Sequence, residues 1–123
     1  MTKLERNALR IAELMGWRYN PIFQQNTLDC NTYFADAVKI SSNDELIELY
    51  SNYQGLMPIV YECNKSNVDY PINICPHQIQ AYPGDALDIY NYDTEPEFIE
   101  AIQECVIKYL ELKNDNSRVQ QTI

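Results

Sequence analysis

The tetrapeptide Thr94-Glu95-Pro96-Glu97 and the apolar stripe behind it constrain this fold more than any other feature of the chain. A threonine three residues before a glutamate is a capping box, in which each side chain satisfies a backbone amide that the first helical turn leaves free. Proline fits that first turn because its missing N–H has no partner there. Phe98, Ile102, Cys105, Val106, Tyr109 and Leu110 follow at helical spacing, so a long helix with one buried face is expected. Glu100, Glu104, Lys108 and Glu111 sit on or near its outer side. Lys113-Asn114-Asp115-Asn116-Ser117 is the expected stop. With 123 residues there is length for one core, expected over 1–113, with 114–123 as a disordered tail. Ile99, Ile107 and Leu112 widen the stripe beyond what one small sheet covers. This predicts a homo-oligomer, at least a dimer.

A second capping box, Thr2 with Glu5, starts a helix whose stripe is Leu4, Ala8, Ile11, Ala12 and Met15. Gly16 suits its left-handed end and Pro21 blocks resumption. Residues 17–33 read as a loop or a short strand pair. Phe34 to Ile40 reads as a short helix leading into another over roughly 43–54, capped by Ser42 or Asn43 and ended by Gly55. Its apolar face is Leu46, Ile47, Leu49, Tyr50 and Tyr53. The period then changes. Met57–Cys63 reads as β, and Val68–Ile74 contains Pro71 and therefore suits a sheet edge. Ile79–Tyr82 is a short strand. Pro83-Gly84-Asp85 is a turn before Ala86–Tyr92, which alternates Leu87, Ile89 and Asn91 against Ala86, Asp88, Tyr90 and Tyr92. Short connections make strands antiparallel. The expectation is an α+β domain: a small antiparallel sheet of three to four strands, helices packed in layers, order α-α-β-β-β-α.

Charge and motif content exclude several functions. A net charge of −9 argues against direct binding to a nucleic-acid backbone. No apolar run reaches the ~20 residues of a membrane span, and no signal peptide is legible. The four cysteines, Cys30, Cys63, Cys75 and Cys105, have no C-x-x-C spacing and are expected to be free thiols. Cys75, His77 and Cys63 could supply zinc ligands, but the paired close spacings of structural zinc sites are missing. His77 is the one histidine, so any His-assisted nucleophile must use it, and it lies in an irregular stretch beside prolines. Gly16, Gly55 and Gly84 are isolated, which removes the glycine-rich phosphate loops. No enzyme activity, metal or cofactor is expected.

Ile11-Ala12-Glu13-Leu14-Met15-Gly16-Trp17 resembles the "IAE-x-MGW" start of small phage and prophage proteins, the phage α-β-α sandwich family. Glu97-Phe98-Ile99-Glu100-Ala101-Ile102-Gln103-Glu104-Cys105 is similar to that family's closing "P-x-A-I-x-x-A" helix. Some members are Thoeris anti-defence 1 sponges, which bind cyclic nucleotide immune signals, including cyclised ADP-ribose, without cleaving them. The resemblance implies a small oligomeric anti-defence protein of the host cytoplasm that sequesters such a signal. One departure is Glu104, which stands where the family's helix is expected to carry an arginine suited to phosphate.

The residues themselves supply three features suited to such a ligand. Ten tyrosines, with Trp17 and three phenylalanines, offer stacking surfaces. Tyr90-Asn91-Tyr92-Asp93-Thr94 runs from a strand into a helix N-terminus, where free amides attract anions. Gly16-Trp17-Arg18-Tyr19-Asn20 groups a ring, a guanidinium and an amide. The expected site is therefore Trp17, Tyr82 or Tyr92 as the ring, Asn91 as the base-reading amide, and Arg18 and Thr94 for phosphate. Each of these also has a plain reading as core filling, helix capping or loop. A different class stays open: an acidic decoy that inhibits a nucleic-acid-binding defence protein, since many of the 18 acids fall after residue 84. A structural phage protein with no ligand is the third.

Overall fold

The computed structural model describes residues 1–31, 36–66, 72–81 and 87–121. Along the chain run α1 (Lys3–Leu14), β1 (Arg18–Asn20), β2 (Gln25–Asn31), β3 (Asp36–Ser41), α2 (Asn43–Tyr50), α3 (Tyr53–Ser66), β4 (Ile72–Cys75), β5 (Gln78–Ala81), β6 (Asp88–Asn91) and α4 (Glu95–Gln121). The class is α+β, with two three-stranded antiparallel sheets ordered β1-β2-β3 and β4-β5-β6. The expected order α-α-β-β-β-α holds roughly, as α2 through α4, with a further three-stranded sheet between α1 and α2.

The starts of α1 and α2 and the end of α1 follow the sequence signals. Thr2 and Glu5 close a full capping box on α1, and Ser42 and Glu45 close one on α2. At the other end of α1, Gly16 adopts φ +107, which costs a residue with a Cβ dearly. Its N–H donates to Glu13 O (3.1 Å) and the Trp17 N–H to Ala12 O (3.0 Å), the two bonds of a Schellman turn. Trp17 then drops into the core, where only 7% of it is exposed.

α4 is the centre of the packing. It runs parallel to α1: Lys3 pairs with Glu104 (2.5 Å), Arg10 with Glu111 (3.4 Å), and Asn114 donates to Leu14 O (3.3 Å). Its remaining faces meet α3 and the β5–β6 side of the second sheet. Ile102, Cys105 and Val106 are sealed between these layers with Ile11, Leu46, Leu56 and Ile79. Gln103 is the buried polar exception: its amide nitrogen donates to Leu4 O (3.0 Å) and Tyr50 O (2.8 Å), tying α4 to α1 and to the open end of α2.

Four expectations are corrected. Met57–Cys63 is helical, within α3. Leu56, Ile59, Val60 and Cys63 are buried at helical spacing while Tyr61 is 65% exposed, so burial on α4 and α2 overrides the β propensity of Ile59-Val60-Tyr61. The expected helix before α2 is strand β3, whose Val38 and Ile40 pair with Asp29 and Thr27 of β2; Phe34 lies outside the described residues. Gly55 does not end α2. α2 stops at Tyr50, and Gly55 sits in the first turn of α3, where its N–H donates to Asn52 Oδ1 (2.9 Å). Finally, α4 continues to Gln121, past Lys113–Ser117, a stretch of modest propensity without a glycine or proline to break it. Most of the α4 stripe is also covered within the chain, by α1, α3 and the second sheet, so it no longer argues for an oligomer. Of the loop or strand pair expected in 17–33, the strand pair forms, and β4 is a sheet edge. Pro71 and the 83–85 turn lie outside the described residues.

A Cβ on Gly55 would stand 1.6 Å from Leu49 O. Gly55→Ala must therefore force α2 and α3 apart. Gln103→Leu leaves the buried Tyr50 carbonyl without its donor. Each is expected to cost about 1–3 kcal/mol or more in urea unfolding, whereas Glu62→Ala on the exposed face of α3 should stay within about 0.5 kcal/mol. Wild-type midpoints for both core variants would contradict this packing.

Candidate functional site

Beyond the Schellman turn the chain enters β1, and Tyr19 lies directly across from Asn26 of β2. Paired residues of antiparallel strands share a face, so a ring and an amide stand side by side. That face looks toward α1 and α2. Between them lies an open cleft of about 380 Å³ lined by Leu9, Ala12, Glu13, Trp17, Arg18, Tyr19, Asn26, Asn43 and Leu46. Leu9, Ala12, Trp17 and Leu46 form its apolar floor. Arg18, Tyr19, Asn26, Asn43 and Glu13 supply its polar rim.

Each rim residue has a defined state. Arg18 donates through Nη1 to Glu13 O and Trp17 O, both at 2.8 Å, which holds a positive charge at the negative end of α1. Its Nε and Nη2 have no protein partner among the described residues. The Tyr19 ring is 63% exposed. Asn26 Nδ2 donates to Ser41 O (3.2 Å) and to Asn43 Oδ1 (2.7 Å). Glu13 also meets Arg10 (3.3 Å).

The six sequence-derived site residues do not form one cluster. Trp17 and Arg18 line the cleft, but the Trp17 ring is a wall. Its Nε1 donates to Tyr50 Oη (3.2 Å), and burial pushes the Tyr50 hydroxyl pKa upward. None of the cleft residues comes from the Tyr90–Thr94 junction. Asn91 lies on the exposed face of β6, opposite to the one that Tyr90 turns to α4. The Tyr92 hydroxyl donates to Cys75 O (2.6 Å), and its ring is 4.7 Å from that of Phe98. Thr94 caps α4. Its hydroxyl donates to Glu97 Oε1 (3.1 Å) while the Asp93 N–H donates to Glu97 Oε2 (3.4 Å). The Glu97 carboxylate thus already accepts from the amide and the hydroxyl that lead into α4. Tyr82 lies outside the described residues.

Sequence reasoning missed Tyr19, Asn26 and Asn43 as site residues. Tyr19 was in view as part of the Gly16–Asn20 group. Asn26 and Asn43 are seventeen residues apart, and only the β2–β3 pairing with the α2 start joins them.

His77, at φ +66 in the Pro76–His77 turn, is exposed and 3.8 Å from an exposed Asp93 carboxylate. Cys63, Cys75 and Cys105 are free thiols. Among the described residues there is no cluster of three His, Cys, Asp or Glu side chains suited to a metal, and no helix is long and apolar enough to cross a membrane. In comparisons with family models, curated proteins and solved structures, nothing matches this chain.

Burial lifts the Cys63 thiol to about 11 and the Cys105 thiol to about 12, from an ordinary 9.0. The unfolded chain ionises these thiols first, so their contribution to stability is complete below pH 9 and is lost as pH rises toward 11–12. Urea midpoints should therefore fall between pH 8.5 and 10.5, and fall less in Cys63→Ala/Cys105→Ala. An equal fall in that variant would place the alkaline sensitivity elsewhere.

Proposed function

We propose that this chain is a non-catalytic phage anti-defence protein that binds and sequesters a cyclic nucleotide signal, such as cyclised ADP-ribose, in the host cytoplasm. The observation that carries the reading is the cleft at the end of α1. Its volume falls in the ~300–1,000 Å³ range of small-molecule sites. It combines a solvent-facing ring, a guanidinium with unspent donors, two amides and a carboxylate on an apolar floor. Those are the groups a nucleotide needs: Tyr19 stacks a base, Arg18 meets a phosphate, the amides meet the base edge, and Glu13 accepts from ribose hydroxyls.

The resemblance carried by Ile11–Trp17 supports the same reading, because the cleft opens at that segment. The Glu104 departure does not touch it, since Glu104 is spent on Lys3 far from the cleft. Binding without turnover fits a His77 whose acidic neighbour is the exposed Asp93 carboxylate, and two buried thiols, Cys63 and Cys105, whose pKa values disfavour thiolate. The homo-oligomer remains part of the proposal, now on different residues. Ile22 and Phe23 at the β1–β2 tip are 86% and 51% exposed, next to Tyr19. Their burial would bring a second subunit to the rim of the cleft.

Calorimetric titration with cyclised ADP-ribose and a panel of cyclic di- and trinucleotides tests this. One ligand should bind and be recovered unaltered by mass spectrometry. Tyr19→Ala should weaken it by roughly fivefold to a hundredfold, the value of one base stack of about 1–3 kcal/mol. Arg18→Ala should weaken it too, and Asn91→Ala should leave it unchanged. Turnover of the ligand, or binding indifferent to Tyr19 and Arg18, would overturn the proposal.

A further inference from the structure

The hydrogen bonds between Ser41, Asn26 and Asn43 fix which polar atoms the cleft offers. A backbone carbonyl can only accept. The Ser41 carbonyl therefore orients the Asn26 side chain with Nδ2 toward it, at 3.2 Å. The second hydrogen on that nitrogen goes to Asn43 Oδ1, at 2.7 Å. Asn43 is in turn held with its own Nδ2 outward. Neither amide can flip without placing an acceptor against an acceptor or a donor against a donor. Asn26 Oδ1 and Asn43 Nδ2 are left without a protein partner among the described residues. The cleft rim therefore carries one oriented acceptor on Asn26 and one oriented donor on Asn43.

That pair stands next to the exposed Tyr19 ring, because Asn26 is the direct cross-strand partner of Tyr19. We infer that Asn26 and Asn43 are the specificity-determining residues of this cleft and select a 6-aminopurine. This rests on the proposed nucleotide site. Adenine offers the complementary pair on one edge, a donor at N6 beside an acceptor at N7, the edge that a protein amide pair reads. N6–H donates to Asn26 Oδ1, and Asn43 Nδ2 donates to N7. Hypoxanthine has the same shape but carries a carbonyl oxygen at position 6, which would face Asn26 Oδ1 lone pair to lone pair. Since both Asn26 hydrogens are already spent, the amide cannot turn to relieve this.

Adenosine and inosine 5′-monophosphate are the probes, titrated against the full chain while tyrosine fluorescence and calorimetry are followed. Adenosine monophosphate should bind at least tenfold more tightly than inosine monophosphate. Asn43→Asp, which keeps the acceptor for Asn26 and suits the first turn of α2, should weaken adenosine monophosphate about tenfold while leaving the urea midpoint unchanged. If both nucleotides bind equally and Tyr19→Ala weakens both, the amide pair is not selective, while the cleft stands. If neither binds, the cleft reading fails and the inference with it. If Asn43→Asp binds like the parent, the donor at 43 does not touch the base.

Discussion

The turn at Gly16 is the constraint on which the binding face depends. Its left-handed backbone lets two amides close onto Ala12 and Glu13, so the chain reverses within three residues of the helix. The reversal has three consequences. Trp17 enters the core and meets Tyr50. Arg18 is placed where its guanidinium can bond the Glu13 carbonyl in the last turn of α1. The chain then leaves as β1, with Tyr19 across from Asn26. A Cβ at Gly16 would also press on Leu28 at 3.2 Å, the residue that anchors β2 to the core. One glycine thus sets both walls of the cleft.

The second organising feature is the polar tie at the centre of α4. The fully buried Gln103 spends both amide hydrogens on backbone carbonyls, while its Oε1 has no hydrogen-bond partner among the described residues. The Tyr50 carbonyl is one that the end of α2 cannot satisfy within its own helix. Gln103 therefore fixes where α2 stops, and α2 carries Leu46 and Asn43 into the cleft. Core position and site geometry are linked through this single side chain.

Helix starts and the stop at Gly16 were the most legible part of the sequence, whereas the stops expected at Gly55 and at Lys113–Ser117 are absent. Thr2 with Glu5, Ser42, Gly16, and Thr94 with Glu97 all act as their residue types suggest, because caps are decided by neighbours within four residues. What escaped was decided at long range. Ile59-Val60-Tyr61 has strand composition, yet its burial against α4 makes it helix. Val38 and Ile40 are strand because β2 is there to pair with them. Of the site, Arg18 and Trp17 were legible as neighbours of a helix end, although Trp17 serves as a wall. The Tyr90–Thr94 junction had the right local chemistry for an anion, but there Glu97 already accepts from the Asp93 amide and the Thr94 hydroxyl. The string Ile11–Trp17 has a full structural account as a helix terminus: two buried residues, a left-handed glycine and a core tryptophan.

The most direct measurement is a crystal structure of the protein grown with cyclised ADP-ribose. Density for an intact ligand with its base on Tyr19, its edge at Asn26 and Asn43, and a phosphate at Arg18 is the expected result. Ligand density at the Tyr90–Thr94 junction with an empty α1–β1 cleft would contradict the assignment of this site.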